Sequence, residues 1–492
     1  MLIFPKTGQD LKNISIQMPM GLMCIAAPLV QEGYRVTILD QRIEEYFFRK
    51  VKQCLSNEHV CAGITTMTGS QILYALQIAK FIRNISHIPI VWGGNHPTLM
   101  ADQTIRNENV DIVVRGEGEI TFLELINNLY LKKPINGING ISWRDGETIY
   151  HNPERDFCDL DGLHPVPYDL IDAEKYILSQ VPGKRRSLEV YTSRGCPSNC
   201  IFCYNKSFNK SRYRKKNINA VIEEIEYLAK RYNLDSIVIN DDNFFADTER
   251  IHYFCKCLIA KKVIQGWGCL GVRIDCLEKI NFGLLEESGC KQLYIGIESG
   301  SEKILSYIKK NITINRIKDI INRFSGLKII AHYNFMVGYP IEDRDDLFHT
   351  VELARYIMKT DPKAYLSSFH LITPYPGTEF YEMVQRYGFV PPRALDKWAN
   401  IRWETENAAW IPPKMRKIDL NLTLLTYFID RKGLDRVEHN ILLKIFFKIL
   451  MILAKWHWRY RKFKFCPEFR LLNRLMNYKI ASEAEKDILN RL

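Results

Sequence analysis

Short aliphatic and β-branched runs alternate with longer amphipathic stretches from the first residues onward. Leu2–Phe4, Val36–Leu39, Val60–Ile64, Ile90–Trp92 and Ile112–Val114 read as strands. Helical spacing of apolar positions falls near Gly21–Gln31, Ile43–Leu55, Ser70–Ile85 and His96–Arg106, and from about Glu119 to Leu131. Five such βα units predict a doubly wound, Rossmann-like parallel sheet. Ligands of such sheets sit beyond the carboxyl ends of the strands, which is where Gly69, Gly93, Gly94, Gly116 and Gly118 fall.

A Pro-, Gly- and Asp-rich stretch follows, with "KKPINGINGIS" and "DGLHPVPYD", and reads as a connecting segment holding one hairpin. A second alternation begins at Ser187. Its strands are Leu188–Thr192, Ser236–Asn240, Trp267–Val272, Gln292–Ile297, Ile329–Phe335 and Tyr365–Leu371. Helices fit Asn219–Tyr232, Asp247–Lys262, Lys279–Ser288, Ser301–Lys309 and Asp343–Thr360. Six units predict a barrel or partial barrel, with chemistry on the loops at the carboxyl ends of the strands. From about 391 the alternation gives way to a largely helical pattern rich in tryptophan. The expected α/β organisation is therefore a Rossmann-like domain over 1–135, a linker over 136–185, a partial (β/α)6 barrel over 186–390 and a helical C-terminal region over 391–492.

The 492 residues suffice for several cores, and 46% hydrophobic with 25% charged residues is ordinary for a soluble protein. A net charge of +12 without a basic tail or a nucleic-acid motif gives no reason to expect nucleic acid as a partner. The 13 cysteines are mostly single, and "MLIFPKTGQD" lacks the features of an export signal. Together they point to a reducing, cytoplasmic setting. No uninterrupted apolar run is long enough to span a membrane.

The exception among the cysteines is "SRGCPSNCIFCYN", where Cys196, Cys200 and Cys203 are spaced C-x3-C-x2-C just after the first strand of the second alternation. Zinc normally takes four ligands, and no second Cys or His pair follows within thirty residues. Cys255 and Cys257 come next, on a helical pattern whose turns point them apart. Ferredoxin-type clusters also use four cysteines. A structural zinc site, thiols without metal, and a four-iron cluster with one open iron remain as readings.

The third reading resembles the radical S-adenosylmethionine enzymes, with Cys196, Cys200 and Cys203 at the positions of the cluster ligands and Phe202 as the intervening aromatic. The resemblance implies a 4Fe-4S cluster whose open iron is chelated by the amino and carboxylate groups of S-adenosylmethionine. It implies cleavage of that cofactor to a 5′-deoxyadenosyl radical on reduction by an external low-potential donor of the flavodoxin or ferredoxin type. Later segments resemble the same family in order. "IVINDDNFFAD" carries Asp241 and Asp242, either of which would accept from the cofactor's ammonium, a helix cap being the plain alternative. "GVRID" carries Arg273, which would pair with its carboxylate. "YIGIESG" carries Glu298, which would face its ribose or methionine moiety, and "FMVGYP" and "TPYPGTEFY" match the last strands.

The first domain carries "GLMCIAAPLVQEGYRVTILD", "WGGNHPT" and "VVRGEGEITFLEL", which resemble the cobalamin-binding domain fused ahead of many radical enzymes. The combination is similar to the anaerobic magnesium-protoporphyrin monomethyl ester cyclase type. The resemblance implies Thr65, Thr66, Gly69, Gly93, Gly94, Gly116 and Glu117 as contacts for a flat corrin, the plain alternative being turn geometry alone. The string Asp-x-His-x-x-Gly that supplies a cobalt ligand in many such domains is absent, so no histidine axial ligand is expected. His96 reads as a helix-start or surface residue.

The expected activity is radical methylation of an unactivated carbon of a small-molecule substrate, with oxidative cyclisation as the alternative. A corrinoid- or metal-binding carrier with a structural barrel is the reading from another class. In the tail, Ile441–Phe465 holds seven Lys or Arg and no acid. On a helix, Lys444, Lys448, Lys455, Arg459 and Lys462 share one side, with Leu442, Phe446, Ile449, Leu453 and Tyr460 opposite. The two readings are a helix packing its apolar face on the barrel and a peripheral helix on the inner membrane face, with Trp456 and Trp458 at the headgroups.

Overall fold

The computed structural model describes residues 1–8, 10, 16–56, 58–401, 408–411, 413–426, 428–429, 441–464 and 466–469. Strands β1 (Leu2–Phe4), β2 (Ile38–Asp40), β3 (Ala62–Thr65), β4 (Ile90–Gly93) and β5 (Ile112–Val114) form a parallel sheet in the order β2-β1-β3-β4-β5. Their side chains are buried on both faces, as helix-covered parallel strands require. Helices Met20–Gln31, Gln71–Ile85 and Gly118–Tyr130 stand where expected, whereas the stretch predicted over His96–Arg106 is two short helices, Asn95–Leu99 and Ala101–Ile105.

The hairpin expected in the linker is present as β6 (Ile141–Asp145) and β7 (Thr148–His151). It is not a detached connector: β6 pairs antiparallel with β5, so the first sheet has seven strands and continues past residue 135.

Strand β8 (Ser187–Val190) opens the second unit, followed by a two-stranded ribbon of β9 (Ser193–Arg194) and β10 (Arg214–Lys215). Then come β11 (Ser236–Ile239), β12 (Gly266–Arg273), β13 (Cys290–Glu298), β14 (Ile330–Val337) and β15 (Tyr365–Leu371). The order β15-β14-β13-β12-β11-β8 is parallel throughout, and β8 and β15 lie at opposite edges, so the barrel is partial. Along β13, Leu293, Ile295 and Ile297 are fully buried under the helices. Tyr294, Gly296 and Glu298 share the other face, where Tyr294 stacks on His332 of β14 at 4.0 Å.

Asp247 caps helix Thr248–Lys261, and Asp343 with Asp346 forms a capping box on Arg344–Thr360. A helix outside the expected set, Ile314–Ser325, is capped by Thr313 and buries Ile317, Ile320, Ile321 and Phe324.

The tail helix Ile441–Arg459 keeps Lys448, Lys455 and Arg459 in water as drawn but departs from the apolar face drawn for it. It packs Leu450, Ala454 and Trp458 inward, with Trp458 edge-on to Phe369 of β15 at 5.7 Å. Phe446, Ile449, Leu453 and Tyr460, expected on the packed side, are exposed, and of the two expected headgroup tryptophans only Trp456 is. The choice follows from Trp458, whose large indole finds a deep slot while the cationic neighbours stay in water. The side chains of Leu442 and Lys444, and Phe465, lie outside the described residues, as does 470–492.

After β13 the chain passes so close to helix Arg344–Thr360 that a Cβ on Gly300 would lie 2.4 Å from the carbonyl oxygen of His349 and 2.6 Å from Thr350 Cα. Gly300→Ala is expected to destabilise the protein by about 1–3 kcal/mol. Gly326→Ala, at a site with no atom within 4 Å of the new methyl, should leave urea unfolding unchanged or slightly later. Equal midpoints for the two variants would contradict the packing argument.

Candidate functional site

The three-cysteine loop begins where β9 and β10 pinch the chain. Gly195 has φ +81°, and a Cβ there would lie 2.0 Å from the carbonyl oxygen of Arg212, so only glycine fits. Its N–H donates to Asp242 Oδ2 at 2.7 Å. Asn205 then closes the loop on itself: its Oδ1 accepts from Cys196 N at 2.9 Å and its Nδ2 donates to the Cys196 carbonyl. Cys196 is buried, and Cys200 and Cys203 are half-buried. Burial, with Cys200, Asp242 and Cys196 nearby, pushes the Cys203 thiol up to about 12. A positive or Lewis-acidic group is what lets that thiol ionise.

The donors around the loop suit that demand. Arg273 Nη1 approaches Cys200 Sγ at 2.7 Å, and Asn243 Nδ2 approaches Cys196 Sγ at 3.5 Å. Burial works against the Arg273 charge, but Cys200 and Asp275 outweigh it and hold its pKa above the ordinary value. Among the described residues, no three His, Cys, Asp or Glu side chains converge on a point where one ion would sit. Three thiolates on one loop, with the Arg273 and Asn243 donors beside their sulfurs, suit a polynuclear iron cluster held by cysteine. Phe202 is half-buried and packs against the core.

The four expected cofactor-facing polar residues divide. Asp241 is committed within the protein: its carboxylate accepts from Thr192 N, Thr192 Oγ1 and Ser193 Oγ, each at 2.6 Å. Burial raises its carboxyl despite those donors. Asp242 is the acid that reaches open space, and neither acid caps a helix; Asp247 does. Arg273 is held by Asp275 through Nε at 3.1 Å and Nη2 at 3.0 Å. Glu298 ends β13 at φ +72°, a conformation most side chains avoid, and accepts from Lys310 Nζ at 2.9 Å. Tyr339 Oη, fully buried nearby, has no hydrogen-bond partner among the described residues. Asn205, Asn243, Asp275 and Lys310 were not singled out in the sequence; Asn205 adjoins the motif, but Lys310, twelve residues past Glu298, carries no local signal.

Between the two units lies a cavity of about 460 Å³ at the carboxyl ends of both sheets. Thr65, Gly93, Gly94, Gly116 and Glu117 line it from the first domain, and Tyr191, Ser193, Arg194, Tyr204, Asn240 and Asp242 from the barrel. Gly94 is required, since a Cβ would lie 2.7 Å from Thr66 O and 2.9 Å from Thr65 Oγ1. This smooth, glycine-surfaced wall fits a flat ring system. Two expected contacts are not on it. Thr66 is fully buried, and Gly69 faces the Ile401 carbonyl of the tail. Glu117 is on the wall, but its carboxylate is bound by Arg194 and Arg214.

His96 does start a helix, but it is no surface residue: it is fully buried beneath Trp398, at 5.4 Å, with Nδ1 2.9 Å from Thr68 Oγ1. Burial drives its pKa down to about 3, and it is not among the cavity-lining residues.

Two family descriptions match this chain: the radical SAM superfamily over residues 190–354, and the B12 binding domain over 15–126. An uncharacterized methyltransferase of Pyrococcus horikoshii is 31% identical over 388 residues, 78% of this chain and 82% of the relative. The anaerobic magnesium-protoporphyrin IX monomethyl ester cyclase of a Synechocystis species is 25% identical, over 80% of this chain and 78% of the relative. Among solved structures, the cobalamin-dependent S-adenosylmethionine radical enzyme OxsB, with aqua-cobalamin and S-adenosylmethionine bound, superposes with a TM-score of 0.71 at 17% identity. That match covers 97% of this chain and 75% of the other, and it bears on the fold.

A buried neutral His96 makes stability pH-dependent with a definite sign. Its folded pKa of about 3 lies below the unfolded value, so the stabilisation is complete above pH ~6.5 and is lost as pH falls from there toward 3. At pH 5 the loss should be about 2 kcal/mol. Urea titrations at pH 7.5 and 5 should show this difference in the parent and a smaller one in His96→Asn; equal differences would contradict the burial account.

Proposed function

The chain belongs to the radical S-adenosylmethionine enzymes that carry a B12 binding domain, and on that premise we propose that it methylates an unactivated carbon of a small molecule. The observation that carries this reading is the shared cavity: one wall is the glycine-lined edge of the first sheet, the other the loop leading into the three cysteines. A 4Fe-4S cluster at the cysteines, S-adenosylmethionine beside it and cobalamin against the glycine-lined wall would supply one-electron cleavage of a sulfonium and a transferable methyl group.

The protein's own residues bind and orient. Cys196, Cys200 and Cys203 hold the cluster, and Arg273 and Asn243 offset the charge on their sulfurs. Asp242 faces the open space as an acceptor for an ammonium, and Arg273 and Lys310 are the cations within reach of a carboxylate. Glu298, held by Lys310 Nζ, would accept from the cofactor's hydroxyls. Thr65, Gly93, Gly94 and Gly116 form a wall without side-chain bulk for the corrin. His96, buried away from the cavity, is not placed to serve a corrin that would bind there. Oxidative ring closure is the second reading, favoured by the likeness to the magnesium-protoporphyrin cyclase. The electron comes from an external low-potential donor of the flavodoxin or ferredoxin type.

Anaerobic reconstitution with iron, sulfide and cobalamin tests this. With a low-potential reductant the protein should form 5′-deoxyadenosine, and methyl-labelled S-adenosylmethionine should leave label in the product; unlabelled product would favour ring closure. Cys200→Ala should abolish both the cluster absorption and 5′-deoxyadenosine formation, since each thiolate fixes one iron and no other cysteine lies close in sequence. Full cofactor cleavage by that variant would refute the three-thiolate assignment.

A membrane role for the tail has its own support. Ile445, Ile449, Ile452, Trp456 and Tyr460 recur every three or four residues and are 52%, 51%, 68%, 49% and 52% exposed. Lys448, Lys455 and Arg459 are exposed beside them, with no acid in the helix. No described helix is long and apolar enough to cross a membrane. This stripe suits an anionic lipid surface, where apolar side chains enter the headgroup boundary and cations pair with phosphates. Cosedimentation with phosphatidylserine-containing vesicles at low salt is expected, and should be lost at high salt and in Ile449→Asp/Ile452→Asp. No sedimentation of the parent protein at low salt would end the proposal.

A further inference from the structure

Glu117 occupies the N-cap position of helix Gly118–Tyr130 but makes no side-chain cap. A glutamate at a helix start would ordinarily turn toward the free N–H groups. This one turns outward, across the domain boundary. Its Oε1 accepts from Arg194 Nη1 at 2.9 Å and Arg214 Nη2 at 2.6 Å, and its Oε2 from Arg214 Nη1 at 2.9 Å. Glu119, one helical step on, takes the other terminal nitrogen of Arg194. The Cys158 thiol also donates to Glu117 Oε2, at 3.3 Å, and Arg214 lies over the Phe157 ring at 4.2 Å. Two acids of the first domain thus meet two guanidiniums of the barrel, largely away from solvent, with side-chain exposures of 9% and 6% against 27% and 16%.

Position gives this set its meaning. Glu117 adjoins Gly116 and Gly118, on the wall assigned to the corrin. Arg194 lies two residues before Cys196, and the β9–β10 ribbon pairs Arg194 directly with Arg214. A bidentate guanidinium–carboxylate contact fixes both distance and angle, and half-buried pairs serve register better than they serve stability.

We propose that Glu117, Arg194 and Arg214 are positioning residues that set the spacing between the corrin site and the cluster site. The inference rests on the two-cofactor reading above. A methyl group or radical must cross that gap, so its width governs whether cofactor cleavage leads to transfer. Glu117 and Arg194 border the cavity, and the lock acts through the Gly116–Gly118 and Arg194–Cys196 segments.

The test uses the full-length protein reconstituted with iron, sulfide and cobalamin, reduced so that cob(II)alamin and the cluster each carry an unpaired electron. Pulsed dipolar electron paramagnetic resonance then reads their separation without any substrate. The parent should give one narrow distance distribution. Glu117→Gln, of equal size but uncharged, should lose it, with both cofactors still loaded by absorption. Arg214→Lys, which keeps the charge but not the fork, should broaden it as well and serves if Glu117→Gln does not fold. Glu44→Gln, breaking an ion pair to Lys50 inside the first domain, should keep the parental distribution. A loss of fold stability alone would lower unfolding midpoints without moving the separation. A loaded Glu117→Gln protein with the parental distribution would overturn the inference and leave the two-cofactor reading intact. Failure of the parent to load corrin or cluster would overturn that reading, and this inference with it.

Discussion

Two parallel sheets that face each other with their carboxyl ends bury the polar loops those ends carry, and neutralising the buried charge is the constraint on which the arrangement turns. A carboxylate taken out of water costs several kcal/mol unless a cation and hydrogen bonds replace its hydration. Glu117, Glu119 and Asp40 have such partners, whereas Asp241 has hydrogen bonds alone. Glu117 and Glu119 meet Arg194 and Arg214; Asp40 is gripped by Arg42, with the Tyr176 hydroxyl donating to it from the linker at 2.9 Å. Asp241 is satisfied by Thr192 and Ser193. The domains are joined through their sites, and apolar packing closes around that join.

Within the barrel the same rule shapes the ends of β12 and β13. Arg273 is shared among Asp275, the Lys310 carbonyl and Cys200, and Glu298 is tied to Lys310. The segment from Lys309 to Asn311, with two residues at positive φ, brings that lysine back under the strand. A single connection thereby serves two site residues, its backbone fixing one and its side chain the other.

Much of this was legible in the sequence because it is local. The β8 loop announces itself by cysteine spacing, and β1, β5 and β15 fall on the strands drawn from hydrophobic runs. Helix Ile314–Ser325 is equally readable from Ile317, Ile320, Ile321 and Phe324 after Thr313. What sequence could not supply were relations between distant residues. Nothing near Asp241 says that its oxygens answer to Thr192, whereas its neighbour Asp242 opens to the cavity. Nothing near His96 foretells Trp398, and nothing in Glu117 distinguishes a cofactor contact from a partner of two arginines. The tail helix misled because its apolar content exceeds what one packed face needs. Periodicity then gives a stripe but does not say which stripe is inside.

Trp398 joins more than a ring to a ring. Its indole N–H donates to Gln103 Oε1, while Gln103 Nε2 donates to the Pro392 carbonyl at 2.9 Å. The strap after the barrel is thus stitched to the front domain by one amide read in both directions, with His96 sealed beneath. The front domain is therefore not a portable cassette. Its roof is encoded some three hundred residues downstream of its floor, so a recombination that moved one without the other would leave His96 hydrated and Gln103 unpaired. The strap after the barrel is thereby as much a part of the front domain's packing as the first strand.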